Sequence, residues 1–177
     1  YYCQQHTGCR QYFSYHLPGY GKDSTMKTAH PIHILIADDD QDDCLMTREA
    51  FQECRVSNPL HFVHDGEALL DYLQRRPPYN DDERYPLPGL ILLDLNMPRM
   101  DGREALQAIK SDAQLRGIPV VILTTSSAEE DILCSYDMGG NSFITKPVTY
   151  TGLLEVVKTL GRYWLEIVEL PVDGKNL

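Results

Sequence analysis

Four short stretches of this 177-residue chain carry groups that could act together: Asp38-Asp39-Asp40, Asp94-Leu95-Asn96-Met97-Pro98, Thr124-Thr125-Ser126-Ser127 and Lys146-Pro147. Each follows directly on a short apolar run. Carboxylates gathered in one place repel one another, by roughly 4 kcal/mol per pair at 4 Å for an effective dielectric near 20. A cluster of them therefore calls for a cation. Hard oxygen ligands of this kind favour Mg²⁺, and the ammonium of Lys146 supplies a second positive charge. The threonines add hydroxyl donors. One of Asp38, Asp39 or Asp40 also suits a helix N-cap, but capping does not account for Asp94.

These groups converge only if the elements that carry them are neighbours. From Ile32 onward, short apolar runs alternate with helical stretches, the pattern of βα units that build a parallel sheet. The strands read as Ile32 to Ala37, Leu60 to Val63, Leu90 to Leu93, Pro119 to Leu123 and Ser142 to Thr145. Ile91-Leu92-Leu93 and Val120-Val121-Ile122-Leu123 lack polar alternation, as expected of strands covered on both faces. In open parallel sheets, ligands bind beyond the carboxyl ends of the strands, where all four stretches fall.

Five helices fit between and after the strands. The first is expected over Asp42 to Cys54 with an apolar stripe of Leu45, Met46, Ala50 and Phe51, and the second over Glu67 to Arg75. Asp101 with Glu104, and Ser127 with Glu130, stand in capping-box relation and mark the starts of the third and fourth. The fifth begins near Thr149 and carries Leu153, Leu154, Val157 and Leu160 on one face. Arg76 to Gly89, with four prolines, reads as a surface loop.

The ordered set of Asp-Asp after strand one, Asp-x-x-Met-Pro after strand three, Thr after strand four and Lys-Pro after strand five resembles the receiver domain of two-component response regulators. Gly102, Pro119 and Phe143, three residues before the lysine, extend the likeness, which covers about Ile32 to Leu160. It implies an α/β fold: a doubly wound five-stranded parallel sheet of order 2-1-3-4-5. It further implies that Asp94 accepts a phosphoryl group from a sensor histidine kinase. Mg²⁺ would be held by the carboxylates of Asp39 and Asp94, the main-chain carbonyl of Asn96, and Asp38 through water. Thr124 and Lys146 would bind the phosphoryl oxygens, and Phe143 would turn inward as the switch aromatic. Phe143 has no hydroxyl, unlike the tyrosine of the chemotaxis regulator.

Composition limits the partners. The net charge is −10, and residues 1–30 hold three basic residues and one acid, leaving 13 basic and 25 acidic residues in the remainder. That excludes a sequence-independent grip on nucleic acid, and no apolar run approaches the roughly 20 residues that span a bilayer. Five dispersed cysteines without a leading hydrophobic segment point to a reducing cytoplasm. Cys3, His6 and Cys9 lack a second pair at zinc-site spacing. Residues 1–30 read as a flexible N-terminal arm, 31–162 as the receiver and 163–177 as a tail.

With no DNA-binding segment after the fifth helix, the output is expected to be protein contact. The proline-bearing loop and the ending Tyr163-Trp164-Leu165-Glu166-Ile167-Val168-Glu169-Leu170-Pro171 resemble the small stand-alone regulators partnered with bacterial, cyanobacterial-type phytochrome kinases. The apolar tail residues suggest a homodimer contact.

Two rivals share the sheet. A haloacid dehalogenase-like phosphatase also uses an Asp nucleophile with Mg²⁺, Thr and Lys. Its Asp-x-Asp follows the first strand of its motif, whereas here Asp94-x-Asn96 follows the third, and Asn96 cannot relay a proton. A nucleotide- or flavin-binding protein needs a phosphate-cradling loop after strand one, where this chain places a run of acids.

Overall fold

The computed structural model describes residues 32–125 and 128–168. The N-terminal arm with Cys3, His6 and Cys9, the pair Ser126 and Ser127, and the tail from Glu169 lie outside the described residues.

Five parallel strands, β1 (Ile34–Ala37), β2 (Leu60–Val63), β3 (Leu90–Leu93), β4 (Val120–Thr124) and β5 (Ser142–Thr145), form one sheet in the order β2-β1-β3-β4-β5. Ile34 pairs with both Leu60 and Leu90, Ile91 with Val120, and Val121 with Ser142. The register brings the carboxyl ends of β1, β3, β4 and β5 to a common edge. The expected fold class and strand order are those observed.

Helices α1 (Gln41–Glu53), α2 (Gly66–Leu73), α3 (Gly102–Ser111), α4 (Glu129–Asp137) and α5 (Tyr150–Leu160) cover the sheet. Alternate strand residues face opposite layers. Leu35, Ala37, Ile91, Leu93, Val120 and Ile122 pack with Leu69, Tyr72, Leu106 and Ile109 of α2 and α3. Ile34, Ile36, Leu90, Leu92 and Val121 pack with Phe51 of α1 and Leu153, Val157 and Leu160 of α5.

Side chains close most helix starts. Asp40 caps α1, Asp65 caps α2 and Thr149 caps α5, while Asp101 and Glu104 form the expected reciprocal box on α3. α4 differs: its N-cap is Ala128, without a side-chain cap hydrogen bond, and the expected box of Ser127 with Glu130 rests on side chains outside the described residues. α1 is also turned from the expected face. Leu45 and Met46 are exposed, and Cys44, Thr47, Ala50 and Phe51 are buried. Cys44 and Thr47 look polar in sequence yet behave here as small core residues, which rotates the buried stripe toward them.

α5 runs on into a π-helical segment, Gly161–Ile167. Trp164 is buried in the α1/α5 layer, and Leu165 and Val168 pack partly against it. Part of the tail's apolar stripe is therefore satisfied within the chain. Tyr163 and Ile167 remain exposed. The loop after α2 is anchored by rings: Tyr72, Tyr79 and Tyr85 stack mutually with centroids 5.1–5.8 Å apart.

Candidate functional site

The acids reach their places through the strands before them. Asp38 directly follows β1 and Asp94 directly follows β3, adjacent strands whose last residues, Ala37 and Leu93, are register partners. Both acids are buried, at 4% and 6% exposure, while Asp39 is open to solvent. One carboxylate oxygen from each of Asp38, Asp39 and Asp94 lies within 4.8 Å of the others. Three hard oxygen donors so close together, two of them shielded from water, suit a divalent cation of the Mg²⁺ type. Asp40 has the other role open to this run: its Oδ1 accepts from the backbone N–H groups of Asp42 and Asp43 at 2.8 and 3.1 Å.

Lys146, the residue after β5, donates from Nζ to Asp38 Oδ2, Asp43 Oδ2 and Asp94 Oδ2, each at 2.7 Å. Its backbone N–H bonds the carbonyl of Thr124 at 2.7 Å, which ties it to the end of β4. Burial alone would lower the ammonium's pKa, but the three carboxylate hydrogen bonds outweigh it and hold Lys146 well above the ordinary lysine value. Asp38 moves upward even though the lysine contacts it. Burial dominates there, and an ammonium shared among three acids offsets only part of that cost.

The loop that follows Asp94 is held from three sides. Leu95 and Met97 are buried in the α2/α3 layer. Arg99, in left-handed conformation, pairs with the buried Asp65 that caps α2, and the Gly66 N–H bonds the carbonyl of Met100 at 3.1 Å. Gly102 starts α3 so close to the strand end that a Cβ there would stand 2.1 Å from the carbonyl oxygen of Asp94. Only a residue without a side chain fits.

An open cavity of about 430 Å³ overlies these groups, lined by Asp39, Asp40, Gln41, Asp43, Asp94, Asn96, Thr125 and Lys146. Of the residues expected from sequence, Asp38, Asp39, Asp94 and Lys146 meet directly, and Asn96 stands at the cavity wall with its backbone N–H 3.1 Å from Asp94 Oδ1. Thr124 is fully buried at the end of β4, and the neighbouring Thr125 faces the cavity. Phe143 is half-buried on β5, against the α2/α3 layer. Asp43 was not foreseen. Its signal lay in helix geometry: side chains tilt toward a helix's N-terminus, so an acid at the third residue of α1 reaches back over the strand ends.

Residues 34–158 match the family model described as the response regulator receiver domain. The chain belongs to this family. This receiver is 39% identical over 141 residues to the response regulator Rcp1 of Synechocystis sp., covering 80% of the chain and 94% of Rcp1. Its fold is similar to that of the phosphorylated cyanobacterial phytochrome response regulator RcpA, with a TM-score of 0.75, 38% identity, and coverage of 81% of this chain and all of that one. The Mn²⁺-bound form of Rcp1 is similar too, with a TM-score of 0.73, 39% identity, and coverage of 80% of the chain and all of Rcp1's. The receiver is thus a response regulator of a two-component system, with a histidine kinase as partner, and its acidic cluster fits the divalent metal that receivers bind. Family membership does not favour the phosphatase alternative. Among the described residues, no helix is long and apolar enough to cross a membrane.

Proposed function

We propose that Asp94 is the phosphoacceptor of this receiver. A carboxylate oxygen of Asp94 forms a new P–O bond while the P–N bond of the kinase's phosphohistidine breaks, its electron pair staying on the imidazole nitrogen. The observation that carries this reading is the 2.7 Å contact between Lys146 Nζ and Asp94 Oδ2 beside the clustered oxygens of Asp38, Asp39 and Asp94. Phosphoryl transfer rests on positioning and charge stabilisation, and both are supplied here by fixed groups.

The metal is Mg²⁺, with Asp39 and Asp94 as carboxylate ligands, the Asn96 carbonyl as a third, and Asp38 acting through water. When bound, it neutralises charge between the nucleophile and the incoming group. Lys146 keeps one N–H on the Asp94 side for a phosphoryl oxygen, and the Thr124 hydroxyl donates another hydrogen bond. Movement of Thr124 lets Phe143 turn inward, and the face of α4, β5 and α5 passes the change to a downstream protein. The chain works in the cytoplasm, takes its phosphoryl group from a phytochrome kinase, and neither hydrolyses phosphate monoesters nor binds nucleic acid. The likeness to Rcp1 and RcpA supports the phytochrome link.

A homodimer through the exposed Tyr163, Ile167 and the tail completes the proposal. Because Trp164 belongs to the core, a chain cut at Arg162 would unfold its own layer. The cleaner test is Ile167→Asp in sedimentation at tens of micromolar, where the native chain runs as a dimer and the variant as a monomer. Equal behaviour removes this contact from the account.

Incubation of the full chain with Mg²⁺ and acetyl phosphate, read by intact mass, tests the central step. One added phosphoryl group, absent in Asp94→Asn, is expected. Turnover of p-nitrophenyl phosphate without a lasting mass gain would reinstate the phosphatase reading.

A further inference from the structure

The Lys146 ammonium has three protons and spends each on a different carboxylate: Asp38, Asp43 and Asp94, all at 2.7 Å. Two of those acids, Asp38 and Asp94, also belong to the oxygen cluster that suits a divalent cation; Asp43 does not. A metal entering that cluster takes lone pairs from acids that the lysine already holds. Two cations then compete for the same oxygens. The lysine can give them up and stay in place only if another acceptor keeps it there.

Asp43 is built for that task. It lies in the first turn of α1, where its backbone N–H is fixed by the Asp40 cap at 3.1 Å, so a helix rather than a loop sets its position. Its side chain lines the same cavity and is 28% exposed, whereas those of Asp38 and Asp94 are 5% and 6% exposed. It is thus the most hydrated of the three acceptors and lies outside the oxygen cluster of Asp38, Asp39 and Asp94.

We infer that Asp43 is a positioning residue for Lys146: an anchor outside the metal's ligand set that keeps the ammonium at the strand ends while Asp38 and Asp94 turn to the cation, ready for the phosphoryl oxygens. This rests on the reading of Asp38, Asp39 and Asp94 as the metal site. Without Asp43, the lysine can be neutralised only by the metal's own ligands, and it opposes metal binding directly.

Loss of Asp43 should therefore weaken Mg²⁺ binding by way of Lys146. Loss of a nearby negative charge, or of a direct ligand, would also weaken it, but neither of those needs the lysine. A double-mutant cycle separates the cases, because coupling between contacting residues disappears once one partner is gone. The measurement is the Mg²⁺ binding isotherm of the ¹⁵N-labelled full chain, followed by amide chemical shifts, which also report that each variant is folded. Asp43→Asn is expected to raise the Mg²⁺ Kd about fivefold with Lys146 present and less than about twofold in the Lys146→Met background, a difference within the range of contact couplings. Asp43→Glu, which keeps the acid, should recover part of the affinity. No rise with Lys146 present, or an equal rise in both backgrounds, overturns the role of Asp43. Asp39→Asn is the control: an unchanged isotherm there would overturn the metal-site reading itself, and the role of Asp43 with it.

Discussion

The inner and outer strands of the sheet differ in how firmly they are held. Every residue of β1, β3 and β4 is buried, whereas β2 buries only Val63 and β5 leaves Thr145 exposed and the rest half-buried. The acids that gather at the site, Asp38 and Asp94, hang on inner strands, as does Thr124. The lysine that faces them and the aromatic Phe143 hang on an outer one. Helix α4 beside it starts without a side-chain cap and exposes Leu133 and Tyr136. Asp94 thus follows a strand packed on both faces, while its cationic partner Lys146 follows one that is less buried. Low local packing is where conformational change is drawn from. The division suits a protein that must hold a reacting group still and move something else in answer.

The largest effect that would break this comparison is loss of the fixed acids' chemistry. Asp39→Ala, a change at an exposed position, is expected to abolish Mg²⁺-dependent labelling by acetyl phosphate while leaving the urea midpoint nearly unchanged. Labelling that persists at native rates, counted by intact mass, would detach the metal from this cluster.

Next in size is a difference in stability between inner and outer strands. Leu92→Ala on β3 removes a fully buried side chain and should cost about 2–5 kcal/mol, against about 1–2 kcal/mol for Ile144→Ala on half-buried β5. Equilibrium urea unfolding of both variants decides it, and equal losses would erase the distinction.

A third prediction sharpens the division of labour. Lys146→Ala should still gain a phosphoryl group on intact-mass analysis, but amide shifts along β5 and α4 should no longer respond to phosphorylation. A native-like response in that variant would place the switch elsewhere.

The smallest effect lies on the other outer strand. His61 on β2 and its neighbour His33, whose ring nitrogens are 3.0 Å apart, are both held below the ordinary histidine value: His33 by burial, and His61 by burial and then by His33. A base with a depressed folded pKa is neutral in the fold and takes up protons on unfolding. Its contribution is therefore complete above about pH 6.5 and is lost as pH falls through the folded value. Urea midpoints should drop between about pH 7.5 and about pH 5.5, and less so in His61→Gln.

Much of this arrangement was legible beforehand. β2, β3 and β5 stand at the predicted residues, and for β3 the unbroken Leu-Ile-Leu-Leu run leaves few alternatives. Asp94, Asp38, Asp39 and Lys146 met because each sits one or two residues past a strand, where position is nearly forced. Helix faces were harder. α1 was misread because Cys44 and Thr47 are apolar enough to bury and Leu45 is not thereby kept inside. α4 begins on an alanine, which no capping rule selects. Asp43 does not stand out among five acids within six residues, because Asp42 shares the first turn of α1 and only the register along that turn separates the two. The tail's Trp164 finds room in the α1/α5 layer through the π-helical continuation of α5.

Acyl phosphates are reduced by borohydride, so the residue that carries the phosphoryl group can be converted to a stable alcohol and located in a peptide. The full chain, treated with Mg²⁺ and acetyl phosphate, reduced and digested, should yield homoserine at position 94 and nowhere else. Homoserine at Asp38, Asp39 or Asp43, or at no position despite a phosphoryl mass gain, would contradict the assignment of Asp94 as the acceptor.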